Sequence, residues 1–278
     1  VIYTSKKVKN DDEILNLIDN LLNEKNSFIF ESVEKGKIKG RYTIFGKNPD
    51  KIWEFDDTKS YLIKNKKKIR LKIKPNQLIE KIIQDFKFDT PKRLPKICSL
   101  ISGYFSYDCI RYIENIPNNC KNDLKLPDVR LLRPRILIIH DNVKKEIFYI
   151  INVFKDEKIN NYQKKFNYIK AELLKLTIQS SIKYLNKRQN KVNKNIKVKS
   201  NTSKNKFLKM VNQAKKYIKL GDIFQVVLSQ RFEANLIKKP LDIYKKLRVT
   251  NPSPFMFFFN FSDFQIIGAS PEILVRLR

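Results

Sequence analysis

Any chemistry in this chain must come from a few polar side chains set among apolar neighbours. Residues 222–232 alternate so that Gln225, Val227, Ser229 and Arg231 would share one face of a strand, with Phe224, Val226, Leu228 and Gln230 on the other. Polar groups recur on the first face, which a purely structural strand would not require. The amide of Gln225 donates and accepts hydrogen bonds but cannot act as a base, so it can line a substrate pocket yet not deprotonate water. Two further points are locally well specified: the turn Asn251-Pro-Ser-Pro254 before Phe255-Met256, and the rigid corner Ser270-Pro-Glu272. Glu272 is a lone carboxylate, which does not by itself make a divalent-cation site. The single His140 has no Cys or carboxylate motif around it and reads as a structural residue at a strand end. With six glycines and no GxxxxGK[ST], GxGxxG or GxSxG pattern, phosphate-cradling loops and a hydrolase triad find no support.

The elements that must carry these residues follow from periodicity. Residues 11–24 place Ile14, Leu17, Ile18, Leu21 and Leu22 at helical spacing behind a capping Asn10 or Asp11. Strands are predicted over 27–33, 41–45 and 51–55, punctuated by Gly36, Gly40 and a turn at Asn48-Pro49, then a hairpin of 61–64 and 69–73 around Asn65-Lys66-Lys67. Pro75 opens a helix with Leu78, Ile79, Ile82, Ile83 and Phe86 on one face. Strands over 100–107, 136–140 and 146–154 and a helix over 161–179 complete a first domain, residues 1–182. A polar linker, 183–204, leads to a second domain over 205–278. There, a helix with Phe207, Met210, Val211, Ala214, Tyr217 and Ile218 in a stripe ends at a left-handed Gly221 cap. The 222–232 strand, a short helix over 241–247, an aromatic strand at 255–259 and a strand over 273–276 follow.

Composition bounds the class. The 278 residues carry a net charge of +30, but 46 of the 58 basic residues are Lys and only 12 Arg, dispersed among Asn and Ile. Base-reading interfaces favour Arg forks and clustered stripes, so this balance reads as a Lys-, Asn- and Ile-biased proteome and not as a nucleic-acid binder. No apolar run is long enough to span a bilayer, and no signal peptide is visible. Cys98, Cys109 and Cys120, with ten residues between neighbours, match neither zinc-ligand pairs nor a redox dithiol and read as small buried hydrophobes in a reducing cytoplasm. The chain opens on Val1, not Met, and stops at Arg278 as a strand begins, so a piece of a longer protein is expected.

Five segments, in order along the chain, resemble anthranilate synthase component I: Phe28-Ile-Phe-Glu-Ser-Val-Glu34 with Gly40-Arg-Tyr-Thr-Ile-Phe-Gly46; Ser102-Gly-Tyr-Phe-Ser-Tyr-Asp-Cys-Ile-Arg-Tyr-Ile-Glu114; Gly221-Asp-Ile-Phe-Gln-Val-Val-Leu-Ser-Gln-Arg-Phe232; Asn251-Pro-Ser-Pro-Phe-Met256; and Gly268-Ala-Ser-Pro-Glu-Ile-Leu-Val-Arg276. The resemblance implies an α+β fold of large, mainly antiparallel sheets with flanking helices. It implies a lyase acting on chorismate and ammonia to give anthranilate and pyruvate in tryptophan biosynthesis, with Mg²⁺ as cofactor. A glutamine amidotransferase subunit, component II, would supply the ammonia. Tryptophan would act as feedback inhibitor at Glu31, Ser32, Pro254, Phe255 and Met256, between the two domains. Many members have Tyr where this chain has Phe255, which removes one hydroxyl contact. The family's Mg²⁺ ligands and catalytic His fall beyond Arg278, so these 278 residues alone are expected to be inactive.

Two alternatives stay open. Gln225 is where water-using relatives carry Lys, an amine able to activate water; the amide fits an ammonia-using enzyme, which also admits aminodeoxychorismate synthase component I of the folate pathway. From a different class, a noncatalytic amino-acid-sensing module remains.

Overall fold

The computed structural model describes residues 1–8, 12–34, 37–38, 40–64, 67–86, 89–154, 162–181 and 196–277. In chain order the elements are β1 (Ile2–Lys7), α1 (Asp12–Leu21), β2 (Ser27–Glu31), β3 (Val33–Glu34), β4 (Lys37–Ile38), β5 (Tyr42–Asp56), β6 (Lys59–Lys64), β7 (Lys67–Leu71) and α2 (Pro75–Asp85). Next come β8 (Ser102–Phe105), β9 (Val129–Asp141), β10 (Glu146–Ile151), α3 (Tyr162–Ser181), β11 (Val198–Ser200) and α4 (Lys204–Leu220). The last are β12 (Phe232–Ala234), α5 (Pro240–Thr250), β13 (Phe255–Asn260) and β14 (Gln265–Ser270).

Contacts divide the chain into two units, Val1–Leu185 with Pro240–Arg278, and Asn186–Lys239. The first is built on a sheet of ten strands with the spine β1-β10-β9-β5-β2-β13-β14, to which β6, β7 and β8 add at the β5 and β9 ends. Every pairing is antiparallel. This is the expected α+β architecture. Strand β9 shows why the sheet is central: Leu132, Leu137 and Ile139 enter one core while Ile136 and Ile138 enter another, so both faces are apolar. The α1 stripe Ile14, Leu17, Ile18, Leu21 and Leu22 is buried as expected and joins Ile169 of α3 and Leu241 and Tyr244 of α5 over one face. The opposite face is aromatic, with Phe28, Phe148, Phe259 and Phe261. Helix α2 covers a third cluster around Trp53 and Phe55, but Ile83 of the expected α2 stripe points outward and is 68% exposed.

The structure revises several expectations. Asn48-Pro49 does not separate two strands: β5 runs unbroken for 15 residues, with a register shift between Pro49 and Lys51. Pro49 faces Pro134 across the β5–β9 pair, and neither has an N–H to donate; a bulge absorbs the lost ladder bonds, and Asn48 accepts the positive φ of 51° that goes with it. The domain boundary also moves. The expected strand 255–259 lies in β13 within the first unit, because Met256 and Phe258 enter one core and Phe257 and Phe259 pack against the other. A strand apolar on both faces needs neighbours on both edges, which β2 and β14 supply. Residues 273–276, expected as a strand, are exposed irregular chain, Leu274 being 98% exposed. The capping position at Asn10 or Asp11, Gly36, the 65–66 turn and most of the expected linker lie outside the described residues.

The second unit holds α4 and the short β11–β12 ladder. Ser203 caps α4 by accepting from the Lys206 amide at 3.3 Å, and Gly221 closes it at φ 82°, the latter as read from the sequence. The 222–232 strand does not form: residues 222–231 are irregular, with Phe224 93% and Val227 81% exposed. Alternation marks a strand only where a ladder neighbour exists, and among the described residues only Val198–Ser200 pairs here, with Phe232–Ala234. That same strand and the Ser203 cap occupy the C-terminal end of the segment expected as linker.

The cysteines differ from one another. Cys98 is buried, Cys109 half-buried and Cys120 exposed, so the reading of all three as buried hydrophobes fails for Cys120. Burial pushes the Cys98 and Cys109 thiols up, while reactivity belongs to exposed thiolate. Native protein treated with a maleimide and mapped by mass spectrometry is expected to be labelled first at Cys120, and at Cys98 only after denaturation. Equal rates at Cys98 and Cys120 would contradict the packing described.

Candidate effector site at the end of strand β2

Strand β2 runs antiparallel to β13 with Glu31 opposite Met256, and helix α5 leads through Asn251–Pro254 into β13. Tyr244 and Arg248 stand four positions apart on α5, hence on one face, and both are buried. That face meets Glu31, whose side chain has no exposed surface. Arg248 Nε donates to Glu31 Oε1 at 2.9 Å and to Oε2 at 3.0 Å, and the Tyr244 hydroxyl donates to Oε1. Burial, reinforced by the charge of Glu31 and the hydrogen bond to it, holds the Tyr244 phenol well above its ordinary value, so it stays a donor. A carboxylate removed from water is thus matched by one cation and one neutral donor.

The turn is tied to β2 by the backbone. Val33 N–H donates to the Ser253 carbonyl at 3.0 Å, and the buried Ser253 hydroxyl donates to the Ser270 carbonyl at the end of β14. Pro254 and Phe255 are exposed on this turn, whereas Met256 is buried against the α5 side of the sheet. Ser32 is half-buried and packs against Gly40, where a Cβ would lie 2.5 Å from the Ser32 Cβ. Only glycine at position 40 lets the two segments approach this closely.

All five residues expected to hold an effector, Glu31, Ser32, Pro254, Phe255 and Met256, therefore lie together within the first unit. They were expected between two domains. Glu31 and Met256 face the interior, leaving Ser32, Pro254 and Phe255 as the reachable groups. Gln225 belongs to the second unit, exposed in irregular chain. Glu272 is exposed as well, its backbone N–H and carbonyl both meeting the Ser270 hydroxyl. Sequence reasoning missed Tyr244, Arg248 and Ser253. The signal available was the Tyr-x-x-x-Arg spacing on the same helical face as Leu241, which puts a cation toward a core that must contain its partner.

A second polar feature lies elsewhere on the first unit, where a cleft of about 1080 Å³ opens beside the β5 bulge. Arg130 in its wall donates to Glu54 Oε2 at 2.5 Å and to Asp263 Oδ2 at 3.0 Å, with its guanidinium 4.7 Å from the Phe264 ring centre. As for Mg²⁺, no group of three or more His, Cys, Asp or Glu side chains able to hold a metal ion occurs among the described residues. The described residues do not by themselves fit that cofactor. No helix among the described residues is long and apolar enough to cross a membrane.

Residues 25–278 match the family model described as chorismate binding enzyme. The chain belongs to the chorismate-binding enzyme family. Within that family it is 37% identical over 258 residues to anthranilate synthase component 1 of Acetivibrio thermocellus, a match covering 90% of this chain and 51% of that protein. It is 35% identical over 257 residues to the protein of the same name from Saccharomyces cerevisiae, covering 91% of this chain and 48% of the relative. Among solved structures, anthranilate synthase component I from Streptococcus pneumoniae TIGR4 superposes with a TM-score of 0.68 at 29% identity, over 85% of this chain and 51% of that one. The chain spans about half the length of the curated relatives it matches.

Proposed function

We propose that the protein is component I of an anthranilate synthase, a lyase that converts chorismate and ammonia to anthranilate and pyruvate in tryptophan biosynthesis. Its ammonia would come from glutamine through an amidotransferase subunit, its cofactor would be Mg²⁺, and it would work in the cytoplasm. The observation that carries the reading is the match through 90% of the chain to a protein named for this role. The chemistry of Gln225 agrees with it: ammonia attacks without prior deprotonation, so a neutral amide can line the pocket where water would need a base. Tryptophan is the proposed inhibitor, with its indole against Pro254 and Phe255 and its polar end toward Ser32.

The test is product analysis by chromatography. Protein expressed from its gene, supplied with chorismate, Mg²⁺ and ammonium, is expected to yield anthranilate and pyruvate in equal amounts, and tryptophan to slow their formation. Gln225→Lys is expected to raise the share of water-derived product. Accumulation of aminodeoxychorismate would move the assignment to the folate-pathway enzyme. Tryptophan binding without turnover would support a sensing module.

A further inference from the structure

We propose that Glu31, Tyr244 and Arg248 form a buried positioning unit that sets the two walls of the tryptophan site, and that Glu31 does not itself bind the ammonium group of the ligand. The inference rests on the effector reading above and changes the role of its most polar member. Glu31 has no exposed side-chain surface, and both its oxygens already accept from Arg248 Nε, at 2.9 and 3.0 Å. A ligand ammonium could reach that carboxylate only by expelling the guanidinium, exchanging one cation for another while stranding the first in a desolvated site. Such an exchange gains nothing.

The connectivity gives the pair another task. Glu31 immediately precedes Ser32, and Arg248 stands three positions before Asn251, so the ion pair joins the backbones that carry the two sides of the site. The 3.0 Å bond from Val33 N–H to the Ser253 carbonyl makes a second tie just past Ser32. Ser32 is thereby held between two cross-links to the α5–β13 segment. Binding groups work only when held within about 0.5 Å of their working geometry, and loosening either tie would shift Ser32 relative to Pro254 and Phe255. The ligand ammonium then falls to Ser32 and nearby backbone carbonyls.

The two roles for Glu31 predict different results in calorimetric titrations of L-tryptophan and of indole-3-propionate, which lacks the ammonium group. Measurements are made on wild type, Glu31→Gln, Arg248→Lys and the double variant, at a temperature where circular dichroism shows all four folded. As a positioning unit, each single variant is expected to lose about tenfold in tryptophan affinity, and the double variant no more than either single, because one tie is broken in all three. Indole-3-propionate should weaken by the same factor as tryptophan. The proposal is overturned if Arg248→Lys binds tryptophan as wild type does, or if Glu31→Gln weakens tryptophan but spares indole-3-propionate. If wild type itself binds no tryptophan, the effector reading fails and this inference with it; the two failures are therefore distinguishable.

Discussion

Arg248→Met is expected to destabilise the first unit by about 3–5 kcal/mol, because it strands the Glu31 carboxylate in a site without water. Glu31 would keep the Tyr244 hydroxyl, but a neutral donor does not offset a full buried charge. The lost pair was worth less than the penalty its breaking incurs, so removing every member should reverse the effect. The triple variant Glu31→Leu, Tyr244→Phe, Arg248→Met is expected to lie within about 1 kcal/mol of wild type or above it, since no unsatisfied polar group would remain. The readout is built in. Trp53 is the single tryptophan of the chain and is buried in the first unit, so its fluorescence follows that unit's unfolding in urea. A midpoint lowered by about 1–2 M in Arg248→Met, and recovered in the triple variant, is the expected pattern. A single variant that unfolds at the wild-type midpoint would show that the carboxylate is not confined as described.

The second large effect is expected at Arg130. Arg130→Met should cost about 3 kcal/mol, at the lower end of the range for a broken buried pair, because Glu54 retains Lys68 as a partner. What the variant loses beyond Glu54 is the tie to Asp263, which joins the tip of the β13–β14 hairpin to β9, and the packing of the guanidinium over Phe261 and Phe264. The acid limb gives a second signature. The hydrogen bond from Arg130 holds the Asp263 carboxyl below its ordinary value of 3.8, against a smaller opposing effect of burial. Since the folded value is the lower one, the stabilisation is fully present above the unfolded value and is lost as pH falls through the folded one. Thermal unfolding of wild type should therefore soften below about pH 4, and Arg130→Met, less stable at neutral pH, should lose less over that interval. Identical acid limbs in the two proteins would argue against the Arg130–Asp263 contact.

Legibility in the sequence followed how local the governing physics was. Helix α1, the Gly221 cap of α4, and the aromatic strand β13 were readable because spacing, capping and apolar runs are properties of a few consecutive residues. The second-unit segment around Gln225 was misread for the complementary reason: its alternation states only what the chain would do beside a neighbour. Asn48-Pro49 misled in another way, since the same residue types serve a turn and a bulge, and the facing Pro134 that decides between them lies far along the chain. At the site, resemblance brought forward Glu31, Ser32 and Pro254 to Met256, which do cluster. It did not bring forward Tyr244 and Arg248, because nothing near Glu31 in sequence announces that its charge is cancelled from a helix encountered so much later.

That distance bears on how the chain is made. Glu31 and Arg248 are 217 positions apart, and β2 lies between β5 and β13 in the finished sheet. At a synthesis rate of about 5–20 residues per second, β2 waits roughly ten to forty seconds for its second neighbour to be translated. During that interval the nascent chain displays an apolar strand with one open edge and an acidic side chain beside it. The charge that ends up deepest in the interior thus begins as the feature that keeps an unfinished edge hydrated and discourages it from pairing with another chain.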